Sequence, residues 1–224
     1  MLATAVRPLQ RPVPLRQSVY DALIDLIVGG ELPPGQHMVE TDLARQLGVS
    51  RQPIREALHR MEAEGWVDLR PSQGAFVHVP TDTEVDNLLD VRVLLEAETA
   101  RLAAALPLPP SAARTAQLAR LRELVQEGQE AAEAGDFAAA VTINNAFHAE
   151  IAEIGGNTVL AELAHIVGRR VQWYYRMVVP ERGHGSWDEH TELIDAIEAG
   201  DPDLAQEVAR KHTERTREAY HRPR

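Results

Sequence analysis

The sequence predicts a mainly α fold, with an N-terminal winged helix-turn-helix carrying a small β-hairpin wing and a C-terminal antiparallel all-α helical bundle. Three observations lead there. Ala, Leu, Glu and Arg abound while aromatic residues make up only 4% of the chain, a composition that favours helix. Short helical patterns joined by a Gly turn are followed by two alternating segments around a second turn, all before Thr81. From Thr81 onward only long helical patterns appear, punctuated by Pro and Gly. The expected organisation is a flexible N-terminal arm at 1–14, a winged helix-turn-helix at 15–80, and a helical domain at 81–224.

The arm contains Pro8, Pro12 and Pro14. The first helix is expected from Leu15 to Val28, with Val19, Leu23, Leu26 and Ile27 on one face, and Gly29-Gly30 ends it. A turn-rich connection, Glu31 to Gly35, leads to a short helix at Glu40 to Leu47 that buries Leu43 and Leu47. Gly48 supplies the tight turn. Ser50 is the expected N-cap of a helix from Arg51 to Glu64, with Pro53 in its first turn. Trp66 to Arg70 and Ala75 to Val79 alternate as two strands around Pro71-Ser72-Gln73-Gly74.

In the second part, Thr81-x-x-Glu84 forms a capping box that opens a helix to Leu106. Pro107, Pro109 and Pro110 break it. Helices follow at Ser111–Ala134, Asp136–Ile154, Thr158–Val179, Trp187–Ala199 and Asp201–Tyr220, with a break at Pro180–Gly185 and a second capping-box candidate at Ser186-x-x-Glu189. No fixed-period repeat suggests a solenoid. About six antiparallel helices suit a single bundle.

The 224 residues include no cysteine, which excludes disulfides and thiolate metal sites and fits a reducing cytoplasm. No apolar run approaches transmembrane length, so a cytoplasmic protein with no membrane partner is expected. The net charge of −11 is unevenly spread. Residues 1–80 hold eight Arg against nine acidic residues, a net of −1, and the remainder holds fifteen basic against twenty-five acidic residues, −10. An arginine-bearing face on the first part is therefore compatible with nucleic acid, while the acidic remainder would be repelled by phosphate.

In a winged helix-turn-helix an exposed helix N-terminus enters the major groove and its first residues meet base edges. Here those residues are Ser50, Arg51, Gln52 and Arg55. Arginine pairs with guanine and glutamine with adenine through two bonds each. Ser50 and the helix N-terminus suit a phosphate, and Thr41 is a further phosphate candidate. The Arg70 to Gly74 wing is placed to reach the minor groove or backbone. Singly, Arg51 or Arg55 reads as a solvated surface residue; the ordered combination points to double-stranded DNA.

The run Leu43-Ala44-Arg45-Gln46-Leu47-Gly48-Val49-Ser50-Arg51-Gln52-Pro53-Ile54-Arg55-Glu56-Ala57-Leu58 resembles the DNA-binding core of the GntR family. Glu64-Gly65-Trp66-Val67 and Gly74-Ala75-Phe76-Val77 extend the resemblance through the wing. It implies that Arg51, Gln52 and Arg55 read bases and that Gly74 lets the wing approach DNA closely. Beyond the wing, Asp90-x-Arg92-x-x-Leu95-Glu96, Phe147-His148, His190 with Leu193-Ile194-Asp195-Ala196-Ile197, and His212 resemble the FCD ligand-binding domain of the FadR subgroup.

Such domains hold a divalent metal on three His and one Asp, which implies a site of Asn144, His148, His190 and His212 with Asn144 in the place of the Asp. Residues 144 and 148 are one helical turn apart, hence on one face. Three neutral imidazoles suit Zn²⁺ or Ni²⁺ and leave positions open for a ligand. The neutral amide implies weaker metal binding, an altered metal preference, or completion by an anionic ligand. A metal-free pocket binding an acidic effector directly is the alternative. His37, His59, His78, His165, His184 and His221 read as ordinary polar residues.

By the same resemblance Arg92 anchors an effector carboxylate, since its guanidinium forks onto two oxygens; the plainer reading is a surface Arg92–Glu96 pair. Trp173-Tyr174-Tyr175 offers ring surface for a pocket, an interface or the core. The resemblance implies a homodimer on an inverted repeat, acting as a repressor released by an organic acid. A metal-dependent enzyme is the rival reading. It is disfavoured because no HExxH accompanies the histidines, Asn144 cannot act as a general base, and Glu150 points off the face of His148. An effector-free DNA binder would leave the His and Arg pattern unexplained.

Overall fold

The computed structural model describes residues 14–175 and 179–222; most of the proline-bearing arm lies outside them. The chain divides between Val79 and Pro80 into two compact units. Among the described residues no helix is long and apolar enough to cross a membrane.

The first unit contains α1 (Leu15–Gly29), β1 (His37–Met38), α2 (Glu40–Gln46), α3 (Arg51–Ala63), β2 (Val67–Arg70) and β3 (Gly74–Val77). Helix α1 ends where Gly30 turns left-handed at φ 82°, a conformation that a Cβ disfavours. Its face of Val19, Leu23, Ile24 and Ile27 is buried and packs on α3. Ile54, Leu58 and Met61 of α3 are likewise buried, which leaves the opposite face of α3 in water. Leu43 is buried as expected, but Leu47 only partly, because it falls just past the end of α2.

The wing differs from the expected hairpin. It is a three-stranded antiparallel sheet in the order β1-β3-β2, with His37 opposite Phe76 and Arg70 opposite Gly74. A two-residue strand carries no periodicity of its own, so only the pairing with β3 defines β1. Ser50 occupies the N-cap of α3, yet its side chain makes no capping bond. The residue at N3 is Pro53, which has no N–H to offer.

The second unit is a bundle of α4 (Asp82–Ala104), α5 (Ala112–Glu133), α6 (Phe137–Ile154), α7 (Thr158–Tyr175), α8 (Val179–Ala199) and α9 (Pro202–Tyr220). The Thr81–Glu84 capping box forms in full. Ser111, Asp136 and Asp201 cap α5, α6 and α9. Helix α4 packs on α6, α7, α8 and α9, and Ala97, Ala100, Ala103, Ala205 and Ala209 are buried on α4 and α9. Leu121, Phe147, Ile151, Leu193, Ile194 and Ile197 fill the core from α5, α6 and α8.

The expected break at Pro180–Gly185 is absent, since α8 begins at Val179. Pro180 falls in its first turn, where a missing N–H leaves no bond unmade. Ser186 and Glu189 therefore lie inside a helix and form no capping box. Trp187 fits into a notch in α5 that exists because residue 128 is glycine: a Cβ there would stand 2.1 Å from Trp187 Cη2. The same indole meets His190 edge-on at 4.9 Å, so this notch also positions the histidine.

Candidate functional site

In the first unit the polar candidates stand on the solvent side of α2, α3 and the wing. Thr41, Ser50, Arg51, Gln52, Arg55, Arg70 and Gly74 are all exposed. Gln52, Arg55, Arg70 and Gly74 line one groove between α3 and the wing. Arg70 lies over the Phe76 ring at 4.2 Å, and His37 stacks on the same ring at 4.7 Å. Gly74 adopts φ 96°, and a Cβ there would come within 2.9 Å of His37 Nε2; local geometry alone demands glycine at this position.

One participant was not apparent from the sequence. Glu40, first residue of α2, accepts from Arg51 Nη2 at 2.9 Å and from Arg55 Nε at 3.2 Å. Its carboxyl is held below the ordinary range, chiefly by the Arg51 bond, against the effect of partial burial. Gln52 donates to Glu56 at 2.9 Å.

In the second unit four helices converge. Arg92 comes from α4, Asn144 and His148 from α6, His190 from α8 and His212 from α9. The ligand atoms of His148, His190 and His212 all lie within 4.8 Å of one another. His190 is fully buried, stacked on Phe147 at 4.2 Å, and neither ring nitrogen has a hydrogen-bond partner among the described residues. His212 Nε2 and Asn144 Oδ1 are buried and unpartnered in the same way. Unsatisfied buried polar atoms cost about 1–3 kcal/mol each, and an ion that takes one nitrogen each from His190 and His212 beside His148 would satisfy two of them at once. Nitrogen donors with one amide oxygen fit a borderline divalent cation such as Zn²⁺ or Ni²⁺ better than Mg²⁺ or Ca²⁺.

Protonation fits as well. Burial pushes His148 and His190 well below the ordinary imidazole range, assisted by Arg92 and the neighbouring rings. Burial lowers His212 too, against the opposing pull of Glu189. The rings are therefore neutral at neutral pH, the form that ligates metal.

A carboxylate and a guanidinium fix the tautomers of His212 and His148. Glu189 Oε2 stands 2.8 Å from His212 Nδ1. Although burial opposes ionisation, the bonds from His212 and Arg182 hold Glu189 at about 2. An ionised carboxylate only accepts, so His212 Nδ1 carries the proton and Nε2 keeps its lone pair. Arg215 also donates to Glu189, at 2.9 Å. Glu96 Oε1 lies 3.4 Å from His148 Nδ1, and Arg92 Nη2 lies 3.3 Å from His148 Nε2. Guanidinium only donates, so His148 Nε2 is again the acceptor. The role of Glu189 was not apparent from the sequence, where its spacing from Ser186 mimics a capping box; Glu96 stood there as part of the Asp90–Glu96 motif and as a pair for Arg92.

Arg92 is buried rather than on the surface. It donates to Glu96 at 2.7 Å, and its Nη1 has no hydrogen-bond partner among the described residues. Thr213 anchors the other Glu96 oxygen at 3.0 Å. Arg92, Asn144, His148, Gly168 and Gln172 help line one cleft. His165 lines it too, while His78 and His221 stand 2.8 Å from Asp68 and Asp86. His59 is an exposed neighbour of Glu62, and the His184 side chain lies outside the described residues. Trp173 and Tyr174 are buried; the Tyr175 side chain is not among those described.

Comparison with known proteins places both units. Residues 15–77 match the model of the gntR family of bacterial regulatory proteins, and residues 87–215 match the FCD domain. A probable D-xylose utilization operon transcriptional repressor of Paenarthrobacter nicotinovorans is 28% identical over 87% of this chain and 83% of its own. An HTH-type transcriptional regulator of Streptomyces ambofaciens is 30% identical over 88% of this chain and 81% of its own. Among solved structures, Escherichia coli McbR/YncC superposes with a TM-score of 0.76 at 24% identity, covering 91% of this chain and 95% of that one. A GntR regulator from Rhodococcus sp. RHA1 gives 0.75 at 23%, covering 92% and 96%.

Proposed function

The chain belongs to the GntR family of transcriptional regulators, with an FCD domain as its second unit, and from that premise we propose that it is a cytoplasmic repressor whose grip on an operator is loosened by a carboxylate-bearing metabolite bound beside a divalent metal. It is a regulator and not an enzyme. The observation that carries the sensing half is the convergence of His148, His190 and His212 within 4.8 Å, with unpartnered buried atoms on His190, His212 and Asn144 and with Arg92 lining the same cleft as Asn144 and His148.

His148, His190 and His212 would hold the metal through nitrogen, with Asn144 Oδ1 as a fourth, uncharged donor. Such an ion supplies a Lewis-acidic point for an anionic oxygen. Arg92 now donates to His148 Nε2, the atom a metal would engage. Its guanidinium is then released toward the cleft, where it can fork onto a carboxylate. Asn144 adds no charge, so an anionic ligand gains more here than at a site with Asp. The effector acts by binding the DNA-competent and DNA-incompetent states with different affinity.

Thr41, Ser50 and Arg70 would hold phosphate, Arg51, Gln52 and Arg55 would read bases, and Gly74 would let the wing come close to the backbone. The chain would act as a homodimer, as the resemblance to its family implies, and two-fold symmetry would then match its two reading helices to an inverted repeat. Val159, Leu163 and Ile166 support self-association: spaced i, i+4, i+7 on α7, they form an apolar stripe turned to solvent. Light scattering is expected to report a dimer that Leu163→Glu dissociates; a monomeric wild type would overturn the dimer.

The decisive experiment takes the metal-loaded protein on a duplex selected from a random-sequence library and titrates a panel of small organic acids. An acid that releases the wild type is expected to leave Arg92→Ala on the duplex, with the response shifted at least about tenfold to higher acid concentration. An unshifted response in Arg92→Ala would remove Arg92 as the anchor.

A further inference from the structure

The reading helix carries polar side chains suited to DNA, and half the charge of its two leading arginines is cancelled by a single residue of α2. Both oxygens of Glu40 are engaged, Oε2 by Arg51 and Oε1 by Arg55. Arg51 and Arg55 are successive turns of α3, so a single carboxylate from α2 spans both. The Glu40 side chain is about one quarter exposed, whereas each arginine side chain is more than half exposed. The clamp therefore lies beneath the reading surface and leaves the guanidinium ends outward. Arg55 is held through Nε and keeps both terminal nitrogens, the pair that meets guanine O6 and N7. Arg51 keeps hydrogens on both of its terminal nitrogens. Gln52 gives one amide hydrogen to Glu56 and retains the other, with its oxygen, for an adenine edge.

We infer that Glu40 is a selectivity residue, which orients Arg51 and Arg55 for bases while screening their charge from phosphate. This rests on the DNA-reading assignment of the first unit. Sequence-independent affinity follows the number of phosphates neutralised, whereas base readout follows the geometry of donors. Two arginines and one carboxylate carry the donors of two cations and the net charge of one. Free arginines would also lose more side-chain entropy when they order on a base. The near-neutral balance of residues 1–80 then has a use: it keeps grip on arbitrary DNA weak, so that base contacts decide where the protein stays.

The test measures fluorescence anisotropy of wild type, Glu40→Gln and Glu40→Asp on a duplex that the wild type selects from a random-sequence library, and on a shuffled duplex, across a salt series. Circular dichroism verifies folding of each variant. Glu40→Gln is expected to bind the shuffled duplex about 3- to 10-fold tighter, with a log–log salt slope steeper by about one. It should bind the selected duplex no tighter, so that the ratio of the two affinities falls about tenfold or more. Glu40→Asp, with charge but shorter reach, should keep the wild-type salt slope and still lose part of the ratio. Equal tightening on both duplexes would reduce Glu40 to a charge brake and overturn the inference, as would no change on either. If the wild type selects no sequence at all, the DNA-reading premise itself falls, and the role of Glu40 with it.

Discussion

His190→Leu is expected to lose metal affinity by at least about 100-fold, because removing one of three imidazoles should exceed the 10–100-fold effect typical of disturbing an outer partner. The measurement is elemental analysis of purified protein together with competition against a chromophoric chelator. A second readout separates ligand loss from damage to the fold. Neither His190 nitrogen is hydrogen-bonded in the described protein, and the ring is fully buried against Phe147 and Trp187. Leucine is close in size and carries no polar atom to desolvate. In the presence of chelator the variant should therefore be at least as stable as wild type, and by up to about 1–3 kcal/mol more stable. Added Zn²⁺ or Ni²⁺ should raise the melting temperature of wild type but not of the variant. Wild-type metal content in His190→Leu would remove it from the ligand set.

Arg51→Ala is expected to weaken binding to the selected operator by about 10- to 100-fold, the discrimination carried by one two-bond arginine–guanine contact. In a dimer the loss falls on both half-sites, so the upper end of that range is expected. Base preference should relax at one position per half-site, while affinity for unrelated sequence falls less, by about 3- to 10-fold, as expected for the loss of one positive charge. The side chain is more than half exposed, so the fold should be unaffected. A repeated selection with the variant reads both effects. An unchanged consensus would exclude Arg51 from base reading.

Much of this architecture was legible in the sequence because its signals are local. The Thr81–Glu84 capping box, the αL glycine after α1 and the apolar face of α3 each involve residues within a turn or two of one another. The same holds for the order Ser50, Arg51, Gln52, Arg55 at one helix start. Where local signals misled, a neighbour competed with them. Pro180 with Gly183 and Gly185 resembles a loop, yet the proline sits where a helix tolerates it. Ser50 has the chemistry of a cap, but Pro53 removes the N–H it would accept.

Residue types and spacing by themselves determined the mainly helical class and the winged helix-turn-helix, while the histidines worth following were marked only by the resemblance to the FCD domain. Tertiary structure alone decided how those groups are held. Glu189 reaches His212 across 23 residues, Thr213 reaches Glu96 across 117, and Glu40 meets Arg51 and Arg55 from another helix. These contacts depend on which helix faces pack together, and a side chain's own neighbours in sequence carry no record of that. Helix periodicity places a residue on a face; only burial in the bundle makes His190 neutral and unpartnered, and Arg92 a guanidinium beside an acceptor nitrogen rather than a solvated surface charge.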